Sequence, residues 1–181
     1  MKNLKNRTEL LNFVNDLGLK GNAIEIGVFE GDYSKEIIKR CKFKMVYLVD
    51  PWIEYPQKIY KTSKNVSQKK QNERYDKVVS KFKNNSNVKI VKKDSKESLS
   101  LFNDDFFDFI YIDANHDYEY VKGDIVNWCL KLKVGGVLSG HDYINKRHKG
   151  VKRAVDEYCS MYGIKMFYTK EKISSWFFVK R

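Results

Sequence analysis

The chain has 181 residues, of which 42% are hydrophobic and 14% aromatic. A chain of this length is large enough for one domain with a buried core, and its hydrophobic content excludes a disordered polypeptide. The formal net charge of +12 would suit a nucleic-acid partner if the basic residues were clustered. Lysines are instead spread along the chain, so we do not expect a nucleic-acid partner. From the chain length we expect a single domain over residues 1–181.

The cysteines and the start of the chain bear on its location. Cys41, Cys129 and Cys159 are odd in number, far apart and without Cys-x-x-Cys spacing, which argues against a disulfide framework and a structural zinc site. The first residues lack the apolar core of a signal peptide, and no apolar run is long enough to span a membrane. These features predict a soluble, cytoplasmic protein with no membrane association.

Strand and helix periodicities alternate along most of the chain. A first helix is predicted over 8–17, with Thr8 as its N-cap and Gly18 as its stop. Buried strands are predicted at 23–28, 45–50, 88–94, 107–113 and 135–140, and a terminal hairpin at 165–170 and 174–180. Further helices are predicted at 33–40, 72–82, 121–132 and 151–162. This alternation predicts an α/β fold, a doubly wound, mostly parallel seven-stranded sheet that ends in an antiparallel hairpin.

The least regular segment is 51–87, which contains both prolines of the chain and many Lys, Gln, Asn and Ser residues. An ordinary crossover connection with a decorated loop would explain this composition. Alternatively, the segment is a lid or substrate-binding insertion over the strand ends, where Trp52, Tyr55 and Tyr60 would meet a ligand. The sequence leaves both interpretations open.

A glycine turn, EIGVFEGDYS, follows the first predicted strand. In doubly wound sheets ligands bind outside the carboxyl ends of the strands, so this turn should face the ligand. Gly27 and Gly31 allow a sharp turn and a close approach of the backbone. Glu25, Glu30 and Asp32 would repel a diphosphate and favour a cationic ligand, which argues against a dinucleotide such as NAD.

Two later strands end in similar bursts of Asp, His and Tyr, in FDFIYIDANHDY and GGVLSGHDY. If these strands are parallel neighbours, their carboxyl ends lie side by side. The bursts would then bring four side chains into one crevice: Asp113, His116, His141 and Asp142. The alternative is that both aspartates cap the segments that follow them, while the histidines make buried hydrogen bonds.

The motifs EIGVFEG, VDPW and IDANHDYEYVKGDIVNWCLKLKVGGVLSGHDY occur in that order. They resemble the successive motifs of class I S-adenosylmethionine-dependent methyltransferases, and most of all the small group that contains macrocin-type O-methyltransferases and cephalosporin-hydroxylase-like proteins. The resemblance covers roughly residues 20–180, and 111–143 is its most specific part. It implies a Rossmann-like methyltransferase fold and methylation of a hydroxyl on a sugar, a phenol-like compound or another small molecule.

The same resemblance implies a binding site for S-adenosylmethionine. Glu25, Gly27 and Gly31 would border its methionine part. Asp50 would accept both ribose hydroxyls, while Asp94 and Ser95 would meet the adenine edge. The implied site comprises Glu25, Gly27, Phe29, Gly31, Ser34, Asp50, Trp52, Asp94, Ser95 and Asp113. Asp50 could instead be a turn residue before a proline, and Asp94 could cap a helix that begins near Ser95.

Metal-dependent members of the family hold a divalent ion with an acidic residue after the fourth strand and an acidic pair after the fifth. The corresponding residues here are Asp113, His141 and Asp142. Magnesium prefers oxygen ligands, so the histidine leaves open whether Mg²⁺, Mn²⁺ or no ion is bound. A divalent ion would lower the pKa of the acceptor hydroxyl, and His116 would take its proton, with Asp113 and His141 as further catalytic residues.

Two other classes of function stay open. One is a nucleic-acid methyltransferase of the same fold, although the chain lacks an Asn-Pro-Pro-Tyr-type motif and a Pro-Cys motif. The other is a non-catalytic S-adenosylmethionine-binding protein, in which Asp113 and Asp142 could be replaced without loss of activity. The sequence specifies neither the methyl acceptor nor the oligomeric state, and a homo-oligomer is compatible with it.

Overall fold

One twisted sheet organises the chain in the computed structural model, which describes residues 4–56, 58, 60 and 62–181. Its strands are β1 (Asn22–Ile26), β2 (Met45–Val49), β3 (Val88–Val91), β4 (Phe107–Ile112), β5 (Leu132–Gly140), β6 (Phe167–Tyr168) and β7 (Trp176–Val179). The helices are α1 (Arg7–Asp16), α2 (Asp32–Arg40), α3 (Gln68–Phe82), α4 (Ser95–Ser98), α5 (Tyr118–Lys131) and α6 (Lys149–Met161). None of the helices in these ranges has the length and apolar character that a bilayer crossing requires.

The strand order confirms the predicted fold class. The seven strands lie in the order β3-β2-β1-β4-β5-β7-β6. β1 to β5 are parallel to one another, whereas β7 pairs antiparallel with both β5 and β6. The direction of winding reverses between β1 and β4, and a crevice at such a switch point is where doubly wound sheets bind ligands.

Both faces of the sheet are covered by helices, which explains why the strands read as continuous apolar runs. In β4, Ile110 and Ile112 pack in the core that includes α5 and α6. Phe109 and Tyr111 of the same strand pack in the core that includes α1, α2 and α3. Successive strand residues point to opposite faces, so a single strand supplies both cores.

Helix starts differ from the predictions by a few residues. The side chain of Asn6 accepts hydrogen bonds from the amides of Thr8 and Glu9, both at 3.0 Å. Asn6 is therefore the N-cap of α1, and the prediction of Thr8 was wrong because the chain turns helical one residue earlier, at Arg7. Gly18 follows the end of α1 with a φ of 73°, as the predicted stop requires.

The described part of segment 51–87 makes hydrogen bonds to the glycine turn and within itself. Trp52 is 1% exposed, and its indole nitrogen donates to the carbonyl of Phe29 at 2.8 Å. The Asn65 amide accepts from the backbone N–H of Tyr55 at 2.9 Å and donates to the carbonyls of Tyr55 and Tyr60 at 2.8 Å each. Residues 57, 59 and 61 of this segment, like residues 1–3 at the chain start, lie outside the described residues. A lid or substrate-binding role for 51–87 stays a prediction.

Candidate active site

A cavity of about 580 Å³ lies outside the carboxyl ends of β1, β2, β3 and β4. This is the size range of pockets that bind small molecules. Seven of the ten residues predicted to hold a cofactor line it: Gly27, Phe29, Asp50, Trp52, Asp94, Ser95 and Asp113. Glu25, Gly31 and Ser34 are not part of the lining. Tyr55 and Tyr60 line the cavity from the side of segment 51–87.

The two glycines of the glycine turn have different roles. Gly27 has a φ of 90°, and a Cβ there would lie 2.1 Å from the carbonyl oxygen of Asp113, so only glycine lets β1 end against β4. Gly31 has a φ of 75°, and a Cβ there would lie 2.8 Å from the ring of Phe82 in α3. Gly27 therefore shapes the cavity floor, whereas Gly31 allows α2 to pack against α3.

The three carboxyl groups of the glycine turn are partly compensated. Burial raises the pKa of Glu25 to about 8, although its carboxyl group accepts a hydrogen bond from Ser34. Asp32 lies 2.9 Å from the ammonium group of Lys81, and Glu30 lies 3.7 Å from the guanidinium of Arg74. Burial of Glu25 and the lysine and arginine partners of Asp32 and Glu30 therefore offset part of the negative charge at this turn, and its preference against a diphosphate stays a prediction.

Asp50, at the end of β2, organises two backbone segments at once. Its carboxylate accepts hydrogen bonds from the amides of Phe29 and Trp52, each at 2.9 Å. Both of those residues have a positive φ, 55° and 43°, which few side chains adopt without such support. Burial raises the pKa of Asp50, and the two amide hydrogen bonds act in the opposite direction. Asp50 is thus both a turn residue and part of the cavity lining.

The far end of the cavity contains a hydrogen-bonded group on α4 and α5. Asp94 caps α4 by accepting from the amide of Glu97 at 2.8 Å, as the capping interpretation required, and it also lines the cavity. The Ser95 hydroxyl donates to Asp124 and accepts from the Trp128 indole at 2.8 Å. Burial raises the pKa of Asp124 to about 6. We call Asp50, Asp94, Ser95 and Asp124 the nucleoside end, after the part of the cofactor that the sequence resemblance implies for this site.

Asp124 and Arg74 are among the lining residues that the sequence predictions missed. Asp124 lies on the inward face of α5, where an acidic side chain between Val121 and Trp128 was a usable signal. Arg74 is 6% exposed, and its guanidinium lies 4.4 Å from the ring centroid of Phe29. Arg74 lies in segment 51–87, which contains many lysines, and only its place on the buried face of α3 could have indicated that it lines a site.

All three histidines of the chain meet two aspartates where β4 and β5 end. We call Asp113, His116, His141, Asp142 and His148 the polar cluster. Nε2 of His116 lies 2.9 Å from Oδ2 of Asp142 and 3.5 Å from Oδ1 of Asp113. Nδ1 of His141 lies 3.3 Å from Oδ2 of Asp142 and 3.6 Å from Oδ2 of Asp113. His148, which the sequence predictions did not include, stacks on His116 with ring centroids 4.1 Å apart.

Charge pairing dominates the protonation of the polar cluster. Burial disfavours the imidazolium form, but the two carboxylates outweigh it and raise the pKa of His116 to about 9 and that of His141 above its usual range. Burial also opposes ionisation of Asp142, yet contacts with both histidines and Asn145 hold its pKa well below the usual range. Burial, then the nearby charge of His116, lowers the pKa of His148.

The donor groups of the polar cluster fit a divalent ion. Asp113, His141 and Asp142, the predicted metal set, lie close enough together to share one ion, as do His116, Asp142 and His148. Nε2 of His116 is buried and, although it lies 2.9 Å from Oδ2 of Asp142, makes no hydrogen bond of normal geometry. Helices α5 and α6 begin at Tyr118 and Lys149, so neither aspartate is the N-cap of a helix, but Asp142 accepts a hydrogen bond from the Asn145 side chain in the segment that follows it.

Comparison with known proteins places this geometry in a family. The family model for a methyltransferase domain matches residues 24–143, about two thirds of the chain. No curated protein sequence matches the chain.

Solved structures of low sequence identity share the fold. A Staphylococcus aureus protein assigned as a caffeoyl-CoA O-methyltransferase is 14% identical, with a TM-score of 0.72 over 97% of this chain and 83% of that one. The O-methyltransferase NovP is 21% identical, with a TM-score of 0.71 over 97% and 80%. An O-methyltransferase from Bacillus cereus, solved with SAH, is 17% identical, with a TM-score of 0.65 over 96% and 80%. The chain therefore belongs to the methyltransferase-domain family, and it is a class I S-adenosylmethionine-dependent methyltransferase.

Proposed function

We propose that the protein methylates a hydroxyl group of a small molecule, such as a sugar or a phenol-like compound, with the help of a divalent ion. The observation that carries this proposal is the position of the polar cluster. Asp113 and His116 line the large cavity, and they also contact Asp142 and His141 behind it. The resemblance in fold to proteins named as O-methyltransferases supports the same chemistry.

In this proposal the cofactor occupies the large cavity. Asp50 would accept the ribose hydroxyls, and Asp94, Ser95 and Asp124 would meet the adenine edge. Gly27 and Asp113 would border the methionine part. Glu25, Gly31 and Ser34 would support this site from outside the lining. Calorimetry should detect binding of S-adenosylmethionine and its demethylated product, with little binding of NAD; tighter binding of NAD would contradict the assignment.

The protonation of the polar cluster favours an ion-assisted reaction over a histidine acting alone. With a pKa of about 9, His116 already carries a proton at neutral pH in the ion-free cluster, so in that state it cannot accept another. When bound, S-adenosylmethionine supplies an electrophilic methyl group, and a divalent ion supplies positive charge that makes it easier for a nearby hydroxyl to lose its proton to solvent water. Asp113, His141 and Asp142 would hold the ion. Asp113 belongs to the cavity as well, so it would keep ion and cofactor adjacent.

An acceptor screen with labelled S-adenosylmethionine tests the proposal. Pools of sugars, phenols, other small alcohols and nucleic acids should be offered in the presence of chelator, Mg²⁺ or Mn²⁺. We expect label in a small hydroxyl compound only when an ion is present. Full activity in chelator would exclude ion assistance, and label in nucleic acid would replace the substrate class. Tight cofactor binding without transfer to any pool would indicate a non-catalytic binding protein.

We also propose that the chain acts as one catalytic domain in the cytoplasm. One sheet contains every strand of the described residues. The cysteines at 41, 129 and 159 are buried and form no disulfide, which suits a reducing compartment. Cell fractionation would test the location.

A further inference from the structure

Two basic side chains lie against the ring of Phe29 in the large cavity. The Lys64 ammonium lies 4.0 Å from the centroid of that ring, and the Arg74 guanidinium lies 4.4 Å from it. All three residues line the cavity, and we call them the basic wall. Lys64 and Arg74 belong to segment 51–87, for which a substrate-binding role is one of the two predictions. The cavity therefore has positive charge on the side of this segment.

Neither cation of the basic wall has a close ionic partner among the described residues. The Lys64 ammonium forms no ion pair with any of them. The Arg74 side chain is only 8% exposed, and its Nη1 donates to the carbonyl of Lys64 at 2.8 Å and to Oε1 of Gln71 at 3.1 Å. Its Nε is buried and makes no hydrogen bond in the described part of the chain. Oε1 of Glu30 lies 3.7 Å from this Nε and 3.9 Å from the Lys77 ammonium, so one carboxylate is shared at long range.

This arrangement favours a ligand that brings negative charge. A buried cation without a close anion is unfavourable, because burial removes the water that would solvate it. Asp50 is close enough to interact with Arg74, but its two carboxylate oxygens accept from the amides of Phe29 and Trp52. A carboxylate or a phosphate binds guanidinium and ammonium groups through charge-assisted hydrogen bonds. Either group would supply the missing anion.

We propose that Lys64 and Arg74 bind an acidic group, a carboxylate or a phosphate, of the methyl acceptor. The acceptor is then a hydroxyl compound that also carries this group, such as a phenolic acid or a sugar phosphate. S-adenosylmethionine has a positive sulfonium centre, which suits the carboxylates at the strand ends rather than two further cations. The inference rests on the proposed function for the hydroxyl that is methylated, and on the basic wall for the acidic group.

The first experiment measures anion binding without catalysis. The protein, saturated with the demethylated product of the cofactor, is melted in sodium benzoate, inorganic phosphate or sodium chloride at one ionic strength. We expect benzoate or phosphate to raise the melting temperature above its value in chloride, because a ligand of the folded state stabilises it. The anion with the larger effect identifies the acidic group.

Lys77 provides the matched control for this experiment. It also lies near Glu30, but it is not part of the cavity lining. Lys64→Met should remove most of the stabilisation by the anion, and Lys77→Met, which loses the same charge, should retain it. No stabilisation of the wild type beyond that in chloride, or an equal effect in Lys64→Met, would overturn the inference.

The second experiment compares matched acceptors with labelled S-adenosylmethionine. Protocatechuate is paired with its uncharged amide, and a hexose phosphate with the free hexose. We expect a kcat/KM at least about tenfold higher for the acidic member of a pair, and Lys64→Met and Arg74→Met should bring the ratio close to one. Equal methylation of both members in the wild type would overturn the inference. Transfer to no compound of any class would refute the proposed function, while the melting experiment would still decide whether the basic wall binds an anion.

Cofactor analogues test the competing source of the anion, which is the carboxylate of the cofactor itself. The demethylated product carries this carboxylate, whereas methylthioadenosine lacks the amino-acid part. We expect Lys64→Met and Arg74→Met to leave the affinity for both compounds unchanged in calorimetry. A loss of affinity for the product alone would assign the basic wall to the cofactor and overturn the inference. Lys64→Met carries the test if Arg74→Met does not fold, because Arg74 also holds the carbonyl of Lys64.

Discussion

The nucleoside end and the polar cluster lie along one edge of the sheet, but different forces organise them. At the nucleoside end, Asp50 accepts hydrogen bonds from the backbone amides of Trp52 and of Phe29 in the glycine turn. Asp94 accepts one from the backbone amide of Glu97. The polar cluster has no such backbone support between its side chains, and it depends on imidazole and carboxylate contacts from three chain segments. In the first region backbone hydrogen bonds therefore hold the carboxylates, whereas the second depends on pairing between ionisable side chains.

From this contrast we expect the affinity for S-adenosylmethionine and the rate of methyl transfer to depend on different regions. Changes at the nucleoside end should alter cofactor binding and stability together, because the same carboxylates hold the backbone. Changes at His141 and Asp142, which do not line the large cavity, should alter ion binding and methyl transfer with little effect on the cofactor. Substitutions at four positions can sharpen or break that division.

The largest effect is expected for Asp142→Asn. Oδ2 of Asp142 contacts both His116 and His141, so its loss removes an anion that both share and one ligand of the proposed ion. Turnover should fall at least about 100-fold, while the affinity for S-adenosylmethionine stays within about twofold. Initial-rate assays and calorimetry would measure the two quantities. Asp104→Asn, which changes an exposed aspartate paired with Lys131, is the control. Parallel losses in turnover and cofactor affinity would break the division between the regions.

Asp50→Ala should mainly weaken the cofactor. Loss of a charge-assisted contact with two hydroxyls costs roughly 1.5–3 kcal/mol, or about 10- to 150-fold in affinity. The variant should also unfold at a lower temperature, since the amides of Phe29 and Trp52 lose their acceptor. Calorimetry and thermal melting would test this. The control is Asp32→Ala, at the start of α2 and paired with Lys81, which should change neither the cofactor affinity nor the melting temperature. An unaltered affinity in folded Asp50→Ala would remove Asp50 from the site.

Glu25 lies beneath both regions, close enough to interact with Asp50 and Asp113, and it predicts a pH dependence of stability. Its pKa is about 8 in the folded protein and 4.5 as the ordinary value, so between these pH values the folded state retains a proton that the unfolded state has lost. The free energy of unfolding should therefore fall as pH rises through this window, by at most about 1.4 kcal/mol per pH unit from this group.

Glu25→Gln should flatten that dependence because an amide does not ionise. Urea denaturation at several pH values would compare the two proteins, and Glu36→Gln, which changes an exposed carboxylate paired with Arg40, is the control. An equally steep fall in wild type and Glu25→Gln would assign the effect to other groups.

The smallest effect is expected at Asp94, where two roles can be separated. Asp94→Ala removes the cap of α4 and should cost about 1 kcal/mol of stability. Asp94→Asn retains an acceptor for the amide of Glu97 and should be nearly as stable as wild type. If Asp94 also meets the adenine edge, both variants should bind S-adenosylmethionine more weakly, because asparagine lacks the charge. Unchanged affinity in both would leave Asp94 as a cap alone.

The sequence by itself determined the fold class and the edge at which the site lies. Continuous apolar runs separated by helical spacing require a sheet covered on both faces, and parallel strands bring their carboxyl ends to one edge. The glycine turn and the two bursts of Asp, His and Tyr follow strands directly, so local pattern sufficed to bring Asp113, His116, His141 and Asp142 together. The need for glycine at position 27 could also be predicted from the sequence, since a positive φ beside a neighbouring strand admits no side chain.

Only the tertiary structure showed which residues of the site lie on helices and how its acidic groups are protonated or paired. Asp124 and Arg74 lie on helices whose inward faces depend on packing against the sheet, and His148 reaches His116 because α6 begins beside the end of β4. The glycine turn proved to be partly compensated because Lys81 and Arg74 approach it from α3, far along the chain. Burial then raised the pKa of Glu25. Desolvation and long-range pairing depend on the whole fold, so no local pattern encodes them.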